Sequence, residues 1–199
     1  MINLAKMVSF MLSPLFVLLP IPYILVEKVS NDYIYALKWT IFSYLFILAV
    51  AVFIVIGVYL RIFSNFDVSK REQRPMLFFF TAFTIFCYLM SLLVLNGPRI
   101  LFIAVFAVVL GLIVISLVNH WIKASIHVAT ITSFLLLIGI LYKGYYFFLL
   151  LLIPLLSWAR VKTNEHTPLE TAVGSVLGVL LTVVIYIISR VFLMGMIYN

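Results

Sequence analysis

Charge is what this chain has least of. Only 10% of its 199 residues are Asp, Glu, Lys or Arg, and just six of them are acidic, whereas a soluble domain carries about 25% charged residues. Six carboxylates cannot coat a water-facing surface, which excludes an ordinary soluble fold. The lone cysteine, Cys87, sits inside an apolar run, so neither a disulfide framework nor a thiolate metal site is available. Lys and Arg cluster only in short loops, so the net charge of +7 does not describe a nucleic-acid-binding face. No repeat, low-complexity tract or linker interrupts the chain, and no run alternates as a membrane β-strand would. What remains is apolar: 66% hydrophobic residues and a mean hydropathy of +1.30. The solvent for most of this protein is lipid.

A helix needs about 20 apolar residues to cross the hydrocarbon core, and helices satisfy their own backbone groups there. Apolar runs fall at 7–26, 39–60, 76–98, 100–119, 125–142, 145–159 and 171–189. The expected fold is therefore all-α, an integral membrane bundle of six to seven transmembrane helices forming one polytopic domain over 1–199. The run at 145–159 is short and carries Pro154, so it is the one expected to bend or span poorly. The first run holds Pro14, Pro20 and Pro22 and reads as a broken helix; it is too long for a cleaved signal peptide, and no small-residue cleavage site follows. Asn96-Gly97-Pro98 and Lys143-Gly144 read as tight turns, and Pro75 suits a first helical turn. Thr167-Pro168-Leu169-Glu170 reads as N-cap to N3 of the last helix, with the Glu closing a capping box.

Seven spans would put the N-terminus and the loops near 61–75, 120–124 and 160–170 on one side. That side holds Lys6, Arg61, Lys70, Arg71, Arg74, Lys123, Arg160 and Lys162, with His120, His127, His166, Asp67, Glu72, Glu165 and Glu170. The other holds Lys28, Lys38, Arg99, Lys143 and Arg190. A cationic, histidine-containing cluster at one mouth of a helix bundle suits an anion, with phosphate the obvious candidate. Plainer roles cover part of the set. Lys6, Arg61 and Lys162 read as headgroup anchors, His120 as an amphipathic interfacial residue, and Trp121, Tyr145, Tyr146 and Trp158 as the aromatic belt. Gly174 and Gly178 read as a helix-packing pair. Glu170 and Ser125 each have a capping role open to them beside a site role.

Spacing separates the readings. Arg160 and His166 enclose five residues, and Glu170 follows His166 with three between. Upstream stand Lys123-Ala124-Ser125-Ile126-His127 and Lys70-Arg71-Glu72-Gln73-Arg74-Pro75. In order and spacing these three stretches resemble the signatures of the type 2 phosphatidic acid phosphatase superfamily, membrane lipid-phosphate phosphatases built on about six helices. The resemblance covers about residues 60–180 and leaves the first helix unmatched. Ile126 stands where the family's second motif has Gly, and Asp67 where its first has Lys, a charge that Lys70 or Arg71 would supply.

The resemblance implies hydrolysis of a lipid phosphate or pyrophosphate, polyprenyl or glycerolipid, through a phosphohistidine, with no metal or other cofactor. His166 would attack phosphorus while Glu170 holds its other ring nitrogen. His127 would serve as acid and then base. Arg74, Arg160, Lys123, Ser125 and Lys70 or Arg71 would cradle the phosphate. Its partners would be the lipid phosphate in the bilayer and other membrane lipids. Two alternatives stand beside it. One is a non-catalytic membrane protein that binds or moves phospholipid with the same cationic pocket. The other is a metal-dependent lipid transferase, for which Asp67 and Glu72 are a poor Mg²⁺ set. By raw count, eight Lys and Arg on the site's side against five opposite would place that side in the cytoplasm; setting aside the five cations assigned to the site (Lys70, Arg71, Arg74, Lys123 and Arg160), three remain against five. The positive-inside rule then turns the site outward from a cell membrane.

Overall fold

The computed structural model describes residues 2–64 and 71–194. Every regular element among them is helical: α1 (Ile2–Met11), α2 (Pro14–Leu18), α3 (Ile21–Ser30), α4 (Tyr33–Tyr59), α5 (Arg74–Val94), α6 (Arg99–Val118), α7 (Ile126–Leu141), α8 (Leu152–Lys162) and α9 (Pro168–Met194), with 3₁₀ turns at Arg71–Gln73 and Phe147–Leu151. Large apolar side chains such as Phe79, Phe83, Leu112 and Val176 stand exposed along these helices, the inverse of a water-soluble surface. This is an all-helical membrane protein.

Among the described residues four helices are long and apolar enough to cross a membrane: Tyr33–Tyr59, Pro75–Val94, Arg99–Val118 and Pro168–Arg190. A fifth is added if Ile2–Leu18 and Ile21–Ser30 form one broken span, as the prolines in that run lead one to expect. The expectation of six to seven spans is thus met only in part. The run at 125–142 forms α7, whose 16 residues extend about 24 Å against a hydrocarbon core of about 30 Å. The run at 145–159 divides into the Phe147–Leu151 turn and the 11-residue α8. The physical reason is that an apolar run reports removal from water, whether into lipid or into protein. Val128, Ala129, Ile131, Thr132, Leu135, Ile138 and Gly139 of α7 are buried against its neighbours. α7 is both well packed and shorter than the four long apolar helices.

The chain forms two compact units, residues 22–105 and residues 1–21 together with 106–199. In the first, α4 starts six residues ahead of the 39–60 run because Asp32 caps it, its carboxylate accepting from the amides of Ile34 and Tyr35 at 2.9 and 3.0 Å. α4 and α5 run antiparallel. Ser43 and Tyr88 share a hydrogen bond of 2.7 Å, and ten residues further along α4 Phe53 stacks on Phe80 with centroids 3.9 Å apart. Trp39, Tyr88, Leu92, Leu101, Val26 and Ala36 form the core.

In the second unit α7 and α9 pack side by side, α2 and α8 flank α7, and α1 lies on α8. Val17, Val128, Ile131, Leu135 and Leu156 form its core. The α7–α9 pair is parallel: Ser125 meets Glu170, and Ser133 donates to the carbonyl of Gly178 at 3.0 Å and accepts at its own carbonyl from Thr182 at 3.3 Å. A Cβ on Gly174 would lie 2.7 Å from the carbonyl oxygen of Ser125, and one on Gly178 2.5 Å from that of Ala129. These two glycines are where the backbones touch, the packing role expected of them.

Helices end on residues with left-handed backbone at Asn31, Arg61, Asn96, Lys143 and Asn164. Asn96 and Lys143 lie in the two turns expected from the sequence.

Candidate functional site

Three chain segments converge at one end of the second unit: the end of α8, the loop into α9 and the loop into α7. α8 closes in a Schellman turn. Asn164 takes φ 58°, its amide donates to Val161, and the amide of Glu165 reaches back to the carbonyl of Arg160 at 3.1 Å. The amide of His166 donates to that same carbonyl at 3.3 Å. The five residues between Arg160 and His166 are thus one helix cap, and the cap holds the two side chains in a set relation.

The chain then starts α9 with a reciprocal capping box. The amide of Glu170 donates to Thr167 Oγ1 at 3.3 Å, and the amide of Thr167 donates to Glu170 Oε2 at 3.1 Å. That same Oε2 lies 2.9 Å from Nδ1 of His166. Capping and holding the imidazole are therefore not alternatives for Glu170, since one oxygen does both. A carboxylate only accepts, so the neutral ring carries its proton on Nδ1 and keeps a lone pair on Nε2. The His166 side chain is only 9% exposed, which limits its motion.

The loop into α7 is laced to this assembly. Ser125 donates its amide to the carbonyl of Glu170 at 3.2 Å, and Lys123 Nζ donates to the carbonyl of Glu165 at 3.0 Å. Ser125 occupies the N-cap position of α7, yet its hydroxyl makes no capping bond. The side chain is fully buried and its Oγ has no hydrogen-bond partner among the described residues. The capping role open to Ser125 in the sequence is thus not the one it plays. His127 lies two residues on, half-buried in the first turn of α7.

Arg160 donates from Nη1 to Ser9 Oγ of α1 at 2.9 Å, and its Nη2 lies 3.8 Å from Glu165 Oε2. Its side chain is 13% exposed against 57% for Glu165. Ser9 and the Glu165 carboxylate were not among the residues singled out from the sequence. Ser9 lies 151 positions from Arg160 with no motif around it, so no sequence signal marks it. Glu165 was visible only as one of the acids near the loop.

Of the nine residues expected at the site, Lys123, Ser125, Arg160, His166 and Glu170 are drawn together by these bonds, with His127 on the helix that Ser125 begins. Arg71 and Arg74 belong to the other unit, and their side chains, like the whole of Lys70, lie outside the described residues. His120 is exposed, with Nδ1 3.1 Å from the carbonyl of Ser116 and its ring near Trp121, as an interfacial residue would be. Among the described residues no group of three or more His, Cys, Asp or Glu is placed to hold a metal ion.

The cluster offers a buried, oriented imidazole, an ammonium and a guanidinium within one loop system, and a buried hydroxyl. Together these can bind an oxyanion and present a nitrogen nucleophile to it. Comparison with known protein families, characterised proteins and solved structures returns no match for this chain.

Proposed function

We propose that this protein is a membrane-embedded, metal-independent phosphatase that hydrolyses a lipid phosphate or pyrophosphate, of the polyprenyl or glycerolipid kind, through a phosphohistidine. The observation that carries the reading is the 2.9 Å pairing of His166 Nδ1 with Glu170, which leaves Nε2 as the nucleophile. Nε2 attacks phosphorus and the P–O bond to the lipid breaks, with His127 giving the leaving oxygen its proton. His127 then takes a proton from water, which attacks the phosphohistidine and frees phosphate and the imidazole. Arg160 and Lys123 grip the phosphate oxygens, and the Ser125 hydroxyl finds there an acceptor. In this reading α7 and the Phe147–Lys162 segment supply the short remaining crossings of a six- to seven-segment bundle. The site opens on the extracytoplasmic face of the cell membrane.

One observation favours the second reading, a non-catalytic phospholipid-binding or lipid-moving protein. Lys123 and Arg160 already hold internal acceptors on Glu165 and Ser9, as cations that brace a pocket would. Phosphate release decides between them. Detergent-purified protein and His166→Ala are given a panel of lipid phosphates and pyrophosphates, with and without EDTA. EDTA-resistant release that the folded variant loses is the expected result. Release by folded His166→Ala would remove the nucleophile assignment, and absence of release from every lipid would leave the binding reading. Release abolished by EDTA would overturn the metal-independent mechanism.

A further inference from the structure

α1 lies on α8 through a face of small residues. Ala5 is fully buried and Ser9 is 8% exposed; four apart, they share one side of the helix. The small side chains let the helices approach closely, and the hydroxyl of Ser9 accepts from Arg160 Nη1 at 2.9 Å. The guanidinium's other terminal nitrogen, Nη2, lies 3.8 Å from Glu165 Oε2, an ion-pair distance and not a hydrogen bond. Ser9 is fixed in a helix, whereas Glu165 is an exposed side chain in a loop. The hydrogen bond to Ser9 thus ties the guanidinium to a helix.

We infer that Ser9 is a positioning residue of the oxyanion site, and that the N-terminal helix is thereby part of that site. The inference rests on the anion-binding half of the reading above and is independent of turnover. An arginine gives up substantial rotamer freedom when it grips a phosphate. The hydrogen bond that Arg160 donates to Ser9 takes part of that loss before the anion arrives, which is how preorganisation raises affinity. The sequence resemblance covers none of α1, so nothing in it assigns Ser9 this role.

The test uses the full chain in detergent, with inorganic phosphate as probe, titrated by calorimetry. Wild type is set beside Ser9→Ala and Ser9→Thr, and thermal unfolding of each is followed in parallel. Ser9→Ala is expected to weaken phosphate binding about tenfold, with an unfolding midpoint close to wild type, and Ser9→Thr, which keeps the hydroxyl, to restore the affinity. Should the alanine variant fail to fold, Ser9→Cys, nearly isosteric and a poor acceptor, takes its place. Unchanged affinity in Ser9→Ala, a lowered midpoint without loss of affinity, or no recovery in a Ser9→Thr variant that unfolds at the wild-type midpoint would each overturn the inference. A wild type that binds phosphate but hydrolyses no lipid, with Ser9→Ala binding weakly, ends the catalytic reading and upholds the role of Ser9. A wild type that binds no phosphate ends both.

Discussion

The amide of Ser125 donates to the carbonyl of Glu170 at 3.2 Å, joining the cap position of α7 to the first turn of α9. This bond sets the register of two parallel helices whose entrances carry the imidazole, its carboxylate and the lysine. It forms because Gly174 lets the backbones meet: a Cβ there would lie 2.7 Å from the carbonyl oxygen of Ser125. The site is thus a by-product of helix packing one turn below it.

Gly174→Ala should be destabilising by about 1–3 kcal/mol, the usual cost of forcing extra volume into a packed contact, and Gly178→Ala similarly. Both meet backbone oxygen, which has little room to give. Gly111→Ala is the control. Its nearest neighbour would be Leu181 Cδ1 at 3.6 Å, an ordinary contact, so the better helix propensity of alanine should leave it neutral or up to about 1 kcal/mol more stable. Unfolding in detergent by heat or denaturant measures all three. Equal midpoints for Gly174→Ala and Gly111→Ala would mean that the helices do not touch as described.

Glu170 offers a sharper separation of stability from function. Oε2 accepts from the amide of Thr167 at 3.1 Å and meets His166 Nδ1 at 2.9 Å. Gln closes a capping box as Glu does but brings no charge to the imidazole. Glu170→Gln should unfold near the wild-type temperature while turnover falls about a hundredfold, the scale of loss when a reacting group is left misaligned. Glu170→Ala should lose both. A Gln variant with full turnover would confine Glu170 to the helix start.

How far the chain was legible depended on whether a local rule decided the outcome. The Asn96 and Lys143 turns, the Thr167–Glu170 box and the Gly174–Gly178 contact each follow from the backbone needs of a few adjacent residues. The span count did not, because Val128 and Leu135 are as apolar in a protein interior as in lipid, and length in space is not written in hydropathy. The start of α4 lies ahead of its apolar run because Asp32, and not hydropathy, decides where the helix begins. At the site, Arg160, His166 and Glu170 were readable because one helix cap and one capping box hold them within eleven residues. Ser9 was not, since only the docking of α1 on α8 brings it there.

The Schellman turn ending α8 makes Asn164 a test of the Arg160–His166 relation. Its φ of 58° is open to Gly and tolerated by Asn, but costs a β-branched residue about 1–2 kcal/mol. Asn164→Gly should keep both stability and phosphate binding. Asn164→Val should lower stability by that amount, and should weaken phosphate binding further by displacing Glu165 and His166 from the carbonyl of Arg160. Midpoint and phosphate affinity are read on the same preparations. Val and Gly variants of equal affinity would show that the cap does not hold the site.

Glu165 places a carboxylate 3.8 Å from Arg160 Nη2 while its own side chain is 57% exposed. A long pair whose carboxylate is exposed to solvent contributes little to stability, so Glu165→Gln should scarcely move the unfolding midpoint. Its effect on an anion should be larger, because the carboxylate stands beside the guanidinium that the phosphate would grip and repels it. The main-chain carbonyl that holds Lys123 is untouched by the substitution, so the loop keeps its tie. Phosphate affinity of Glu165→Gln should rise roughly two- to fivefold at low ionic strength, with the gain shrinking as salt screens the exposed charge. Calorimetric titrations of phosphate at low and high salt measure it. Weaker binding in Glu165→Gln would mean that the carboxylate orients Arg160 more than it opposes the anion, and a gain that ignores salt would mean that the effect is not electrostatic.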